Sequence, residues 1–198
     1  DKIVMNIGGD VKLFQLEDRF SELSIEADAE NEVVLAPVSN QDKWDGYVLG
    51  SFAQLQYQLG KMLVQTGVRM NYSQLNNEVN LMPRLLVRYD VSPSSAWVAT
   101  AGRYTQPPIY REFARTGFPK DELLAQKLNN FTVGYQGNPN KNTSLKVELF
   151  YKKYDDLISY DIDDVQVIYS GLNDAIGYAY GMDVYFKWQP SERRSNWM

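Results

Sequence analysis

Three groupings in this sequence carry residue types that could do chemistry. The first is the run from Tyr104 to Gly117, which places Tyr104, Gln106, Tyr110, Arg111, Phe113 and Arg115 close together. Aromatic rings offer stacking surfaces, and each guanidinium offers a forked donor for carboxylate or catecholate oxygens. The other two are acidic: Asp155 with Asp156, and Asp161 with Asp163 and Asp164. Such carboxylates could offer oxygen ligands to calcium. The glycine and closing glutamate of an EF-hand loop are missing, so a solvated acidic loop is expected instead. Gly8-Gly9 and Gly171 fit no phosphate-cradling pattern.

Composition removes most other chemistry. The 198 residues include no Cys and no His. Disulfides, thiolate nucleophiles, Ser–His triads and the common zinc sites are therefore excluded. No cofactor and no metal are expected, and the chain reads as a non-enzyme. A formal charge of −5 leaves no basic face for a phosphate backbone, so nucleic acid is not an expected partner. No apolar run approaches the roughly 18 residues of a transmembrane helix. No signal-peptide pattern opens the sequence at Asp1, which predicts a mature or excised chain. The unusual feature is aromatic: 14 Tyr beside 8 Phe and 4 Trp.

The elements that must position these groups are strands, because the dominant period is two. Eight are predicted, over about 3–14, 47–59, 62–72, 81–91, 95–104, 130–136, 144–153 and 179–188. Most are longer than the usual five or six residues of a soluble strand and match the ~9–11 of a tilted membrane-spanning one. One face of every strand is uncharged. Examples are Ile3, Met5 and Ile7 in the first, Leu85, Val87 and Tyr89 in the fourth, and Met182, Val184 and Phe186 in the eighth. The other face holds Asp10, Gln54, Gln56, Arg69, Arg84, Arg88, Lys146, Glu148 and Asp183. An uncharged face could equally line a soluble sandwich core.

The connections separate these readings. They alternate long (15–46, 73–80, 105–129, 154–178) and short (60–61, 92–94, 137–143), so a meander gathers all the long loops at one end. Outer-membrane barrels sort their loops this way, and Greek-key sandwiches have no reason to. Tyr47, Tyr57, Tyr72, Tyr89, Trp97, Tyr151, Tyr180 and Trp188 sit near strand ends, where headgroup-level rings belong. The segment 119–130, PKDELLAQKLNN, has helical spacing and predicts a short loop helix. Arg69, Arg84, Arg88 and Arg103 would each cost about 2–4 kcal/mol facing mid-depth lipid. They are expected in a wet interior instead, paired across strands with Asp10, Asp90, Glu148 or Asp183. The predicted fold class is all-β: an antiparallel up-and-down meander of about eight long strands.

Several stretches, in order, resemble the barrel domain of TonB-dependent outer-membrane receptors. They are LGSFAQLQYQLGKMLVQTGVRMNY with its Gly-x-Arg, PRLLVRYDVSPSSAWVATAGRYTQPP, FTVGYQG, SLKVELFYKKYDDLI and GYAYGMDVYFKW. The likeness covers residues 45–190 well and the first 45 weakly. It implies a location in the bacterial outer membrane and uptake of a scarce nutrient of the siderophore, haem, cobalamin or glycan class. It also implies membrane lipid, a small-molecule or metal-chelate cargo and the TonB protein as partners. That family closes about 22 strands around a plug. Gly67, Gly102, Gly134 and Gly181 would face that plug. The sequence holds neither an energy-coupling box nor a plug, and SERRSNWM reads as a turn leading into another strand. Residues 1–198 are therefore expected to be one partial transmembrane β-barrel segment, with the plug and remaining strands absent. The alternative is a complete small eight-stranded structural or adhesive barrel, whose first and last strands would pair.

Overall fold

The computed structural model describes residues 2–27, 33–109, 112, 123–163 and 166–189. Eight long strands form one antiparallel sheet: β1 (Lys2–Ala27), β2 (Val33–Leu59), β3 (Met62–Ser73), β4 (Glu78–Ser92), β5 (Ser95–Gln106), β6 (Gln126–Asn140), β7 (Thr143–Leu157) and β10 (Ala175–Trp188). Two short strands, β8 (Tyr160–Asp163) and β9 (Gln166–Tyr169), form a separate hairpin between β7 and β10. The order is sequential from β1 to β10, so each long strand pairs with the long strands before and after it. This is the predicted meander.

Register confirms the two faces. One cross-sheet row runs Met5, Leu55, Thr66, Leu85, Ala101, Phe131, Tyr151, Tyr180, and it carries no charge. The adjacent row, on the opposite face, runs Asn6, Gln54, Gly67, Arg84, Gly102, Asn130, Lys152, Ala179. Leu85 stays 42% exposed, Leu149 51% and Val184 58%, because no second sheet covers them. That eliminates the sandwich. The accessible surface, 14682 Å² for 22.8 kDa, far exceeds the ~9,600 Å² of a compact monomer that size. β1 and β10 end the sheet and are not neighbours, which contradicts a closed eight-stranded barrel.

The tight turns gather at one end of the sheet, as predicted. There, Gly60-Lys61, Pro93-Ser94 and Lys141-Asn142 close two-residue hairpins. Gly60 has φ +53°, a conformation open to glycine without strain. At the other end lie the turn over 74–77, the described residues 107–109 and 123–125, and the stretch holding β8 and β9. Rings mark both levels. Trp97 meets Tyr135 edge-on at 5.3 Å near the tight turns, and Tyr47 meets Tyr72 at 6.3 Å toward the loops.

Three expectations need correction. The loop expected over 15–46 is mostly strand: pairing continues from Leu13↔Tyr47 to Ala27↔Val33, about 45 Å further at ~3.3 Å per residue. Glu17, Asp18 and Arg19 are three charges at successive positions of the sequence, which erases any period of two. The loop expected over 73–80 is a four-residue turn, with Ser73 opposite Glu78. No helix forms over 123–130, because Gln126–Asn130 already belong to β6. Residues 119–122 of that expected helix, and the SERRSNWM terminus, lie outside the described residues.

Candidate functional site

β5 ends with side chains that belong to the polar face of the sheet. Tyr104 and Gln106 share the parity of Gly102, and Gln106 closes the strand opposite Gln126. The Tyr104 ring lies back over Gly102, where a Cβ would meet it at 3.2 Å. The Arg84 guanidinium sits 4.7 Å from that ring's centre, an orientation favourable for a cation over a π face. Beside this pair is a shallow cavity of about 410 Å³, floored by Gly67 and walled by Phe52, Gln54, Arg69, Arg84 and Tyr104. A Cβ at Gly67 would lie 2.9 Å from the Ala53 carbonyl oxygen, so this close strand approach needs glycine.

Of the six residues singled out in sequence, Tyr104 and Gln106 are placed here. Tyr110, Arg111, Phe113 and Arg115 lie outside the described residues. Between them stands Glu112, which is buried. Its carboxylate accepts the Ile109 N–H at 2.7 Å through one oxygen and the Gln126 side-chain amide at 3.1 Å through the other. Charge-assisted bonds of this kind fix a chain direction. Glu112 was missed because a lone acid in a polar loop gives no periodic signal.

The far end of the same loop is also held. Leu123 is buried against Ile158, with Leu75 and Tyr169 packed beside them. Asn76 donates to the Leu123 carbonyl at 2.8 Å and to Glu78 at 3.1 Å, and Glu78 accepts the Ala125 N–H at 2.7 Å. Asn173 donates to the carbonyls of Leu124 and Asp156, and accepts the Leu124 N–H. Thus the β3–β4 turn, the β5–β6 loop and the β7–β10 connection meet in one small core. The leucines that suggested a helix serve two purposes here: Leu123 packs the loops, while Leu128 joins β6 opposite Tyr104.

The arginines divide differently from expectation. Arg69 does bridge strands, reaching Asp10 at 2.7 Å above Gly50, where a Cβ would lie 2.7 Å from the Asp10 carboxylate. Arg88 pairs with Asp90 at 2.8 Å along its own strand, and Glu148 does the same with Lys146 at 2.9 Å. Residues two apart share a face, so these pairs needed no second strand. Arg84 stacks rather than pairing across the sheet. Arg103 corrects the expectation most clearly: it shares the parity of Ala101, on the uncharged side, and donates to Asn129 at 3.1 Å. Of the acidic group, Asp161 and Asp163 lie in β8, and Asp164 is outside the described residues.

The sequence matches the family described as TonB dependent receptor-like, beta-barrel, over residues 10–197. This chain belongs to that family. A TonB-dependent receptor barrel is a protein of the bacterial outer membrane, and the fold above agrees with solved relatives. The outer membrane transporter YddB from Escherichia coli is 15% identical, with a TM-score of 0.66 over 92% of this chain and 27% of its own. The copper transporter OprC is 15% identical, with a TM-score of 0.70 over 97% of this chain and 33% of its own. A mutant of the ferric enterobactin receptor PfeA from Pseudomonas aeruginosa is 13% identical, with a TM-score of 0.66 over 92% of this chain and 30% of its own. The chain therefore spans a third or less of each of these structures. No curated protein matches it. The family and these relatives are transporters and receptors rather than enzymes.

Proposed function

We propose that this chain is a stretch of barrel wall in a TonB-dependent transporter that takes up a small cargo across the outer membrane. The observation that carries this reading is an eight-stranded meander with a bare apolar face and two edges unpaired among the described residues, inside a family match over residues 10–197. Such a sheet is stable only when lipid covers one face and further strands extend its edges. Residues 1–198 then form one partial transmembrane segment, the remaining strands and a plug completing the lumen. Its partners are membrane lipid, the TonB protein through segments outside this chain, and the cargo. A metal chelate is the favoured cargo class, since solved relatives carry copper or ferric enterobactin in their names. The protein works as receptor and transporter, without catalysis.

Cargo contact falls to the loop after β5, through Tyr104, Gln106, Tyr110, Arg111, Phe113 and Arg115. Anchoring at Glu112 and at Leu123 supports this, because ordering a connection already tied to the sheet costs less on binding. The test replaces Tyr110→Ala and Arg111→Ala together in the full-length receptor and measures cargo binding at the cell surface. A tenfold loss at normal receptor abundance, about 1.4 kcal/mol, is expected. Unchanged affinity would remove this loop from the cargo site.

A further inference from the structure

Within the two levels just beyond its mid-sheet row, the uncharged face carries charge at one place among the described residues. Beyond the row Ala101, Phe131, Tyr151, Tyr180, the next outward positions toward the long loops are Arg103, Asn129, Lys153 and Tyr178, joined in register. Lys127 and Asp155 follow one step further out and also pair. The same level on β1–β4 is apolar, with Ile7, Ala53, Val68 and Pro83 in register. The polar patch is thus confined to β5, β6, β7 and the facing tyrosine of β10.

The patch is connected rather than scattered. Arg103 donates to Asn129 at 3.1 Å, and Asn129 donates to Asp155 at 3.1 Å. Lys153 reaches Asp155 at 2.8 Å, and Lys127 reaches Asp156 at 2.5 Å. Three cations face two carboxylates, and Arg103 spends its described hydrogen bond on a neutral amide. Stacked Tyr178 and Tyr180 rings, 6.2 Å apart, border it on the β10 side. Aromatic rings mark the level where hydrocarbon gives way to headgroups. A cationic patch just beyond that level meets lipid phosphate, which a guanidinium binds through two parallel bonds.

We infer that Arg103, Lys127 and Lys153 form a seat for the phosphate of an outer-leaflet glycolipid, on the outside of the barrel. The inference rests on the barrel reading above, because only a lipid-facing sheet brings this patch to the headgroup level. Asp155 and Asp156 hold the two lysines in place, and Arg103 supplies the excess positive charge.

The test uses the full-length receptor, purified in neutral detergent and returned to vesicles. Binding of a bis-phosphorylated, multiply acylated diglucosamine lipid is measured by native mass spectrometry, against the same lipid with its phosphates removed and against inorganic phosphate. The phosphorylated lipid should be retained at least tenfold better than the dephosphorylated one, and inorganic phosphate should not compete at millimolar concentration. The double variant Arg103→Gln and Lys153→Gln should abolish that preference. Lys146→Gln with Lys187→Gln, on the opposite face, should leave it intact. Equal retention of the two lipids by the native receptor, or an unchanged preference in the double variant, would overturn the inference while leaving the barrel standing. Failure of the receptor to insert into vesicles at all would overturn the barrel reading itself.

Discussion

Leu85 and Leu86 are neighbours on β4, yet they face opposite sides of the sheet. Leu85 sits in the uncharged row between Thr66 and Ala101, and Leu86 sits between Gln65 and Thr100 on the polar face. A few residues along the same strand, Glu78 faces neither lipid nor lumen. It binds Ala125 and Asn76 in a small core of loops. The strands at membrane level are held by ladder bonds that do not depend on side-chain identity, so sequence there is free to sort by solvent. The loop cluster has no ladder to rely on. It uses a few buried apolar groups and several side-chain bonds to backbone, each of which depends on its particular residue.

The largest effect that could break this comparison comes from charge at the membrane level. Leu85→Arg in the full-length protein should destabilise the folded state in vesicles by about 2–4 kcal/mol. Leu86→Arg, one residue away, should change stability by less than about 0.5 kcal/mol, the range of a wet surface position. Urea unfolding in lipid vesicles reads both. Similar losses in the two variants would mean that the faces are not solvated differently. A smaller effect sharpens the other half. Asn76→Ala removes donors to the Leu123 carbonyl and to Glu78, and should cost about 1–3 kcal/mol locally. Amide exchange should then quicken at Leu124 and Ala125 while β4 and β5 stay protected.

Sequence legibility follows the same division. Where water and lipid lie on opposite sides, period two survives, and every expected strand was found in its expected phase. Above Leu13 charged residues stand at successive positions of the sequence, so the extension of β1 and β2 left no periodic trace. The Leu123, Leu124 and Leu128 spacing imitated a helix because loop packing and strand parity happened to fall four and five residues apart. Glu112, Glu78 and Asn173 could not be singled out, since each binds a backbone group brought near only by the finished fold. Arg103 was legible in principle. Its parity with Ala101 placed it on the outward face, but its charge argued for the interior, and the register decided for parity.

The central claim is that odd-numbered positions of β4 face lipid and even-numbered positions face an aqueous lumen. These 198 residues hold no Cys, so single cysteines at 84 through 88, in a full-length receptor freed of any cysteine elsewhere, can each carry a nitroxide label in vesicles. Collision with oxygen, which partitions into lipid, is compared with collision by a water-soluble nickel chelate. Labels at 85 and 87 should favour oxygen, and labels at 84, 86 and 88 should favour nickel, in strict alternation. Alternation with the opposite phase, or none at all, would contradict the account.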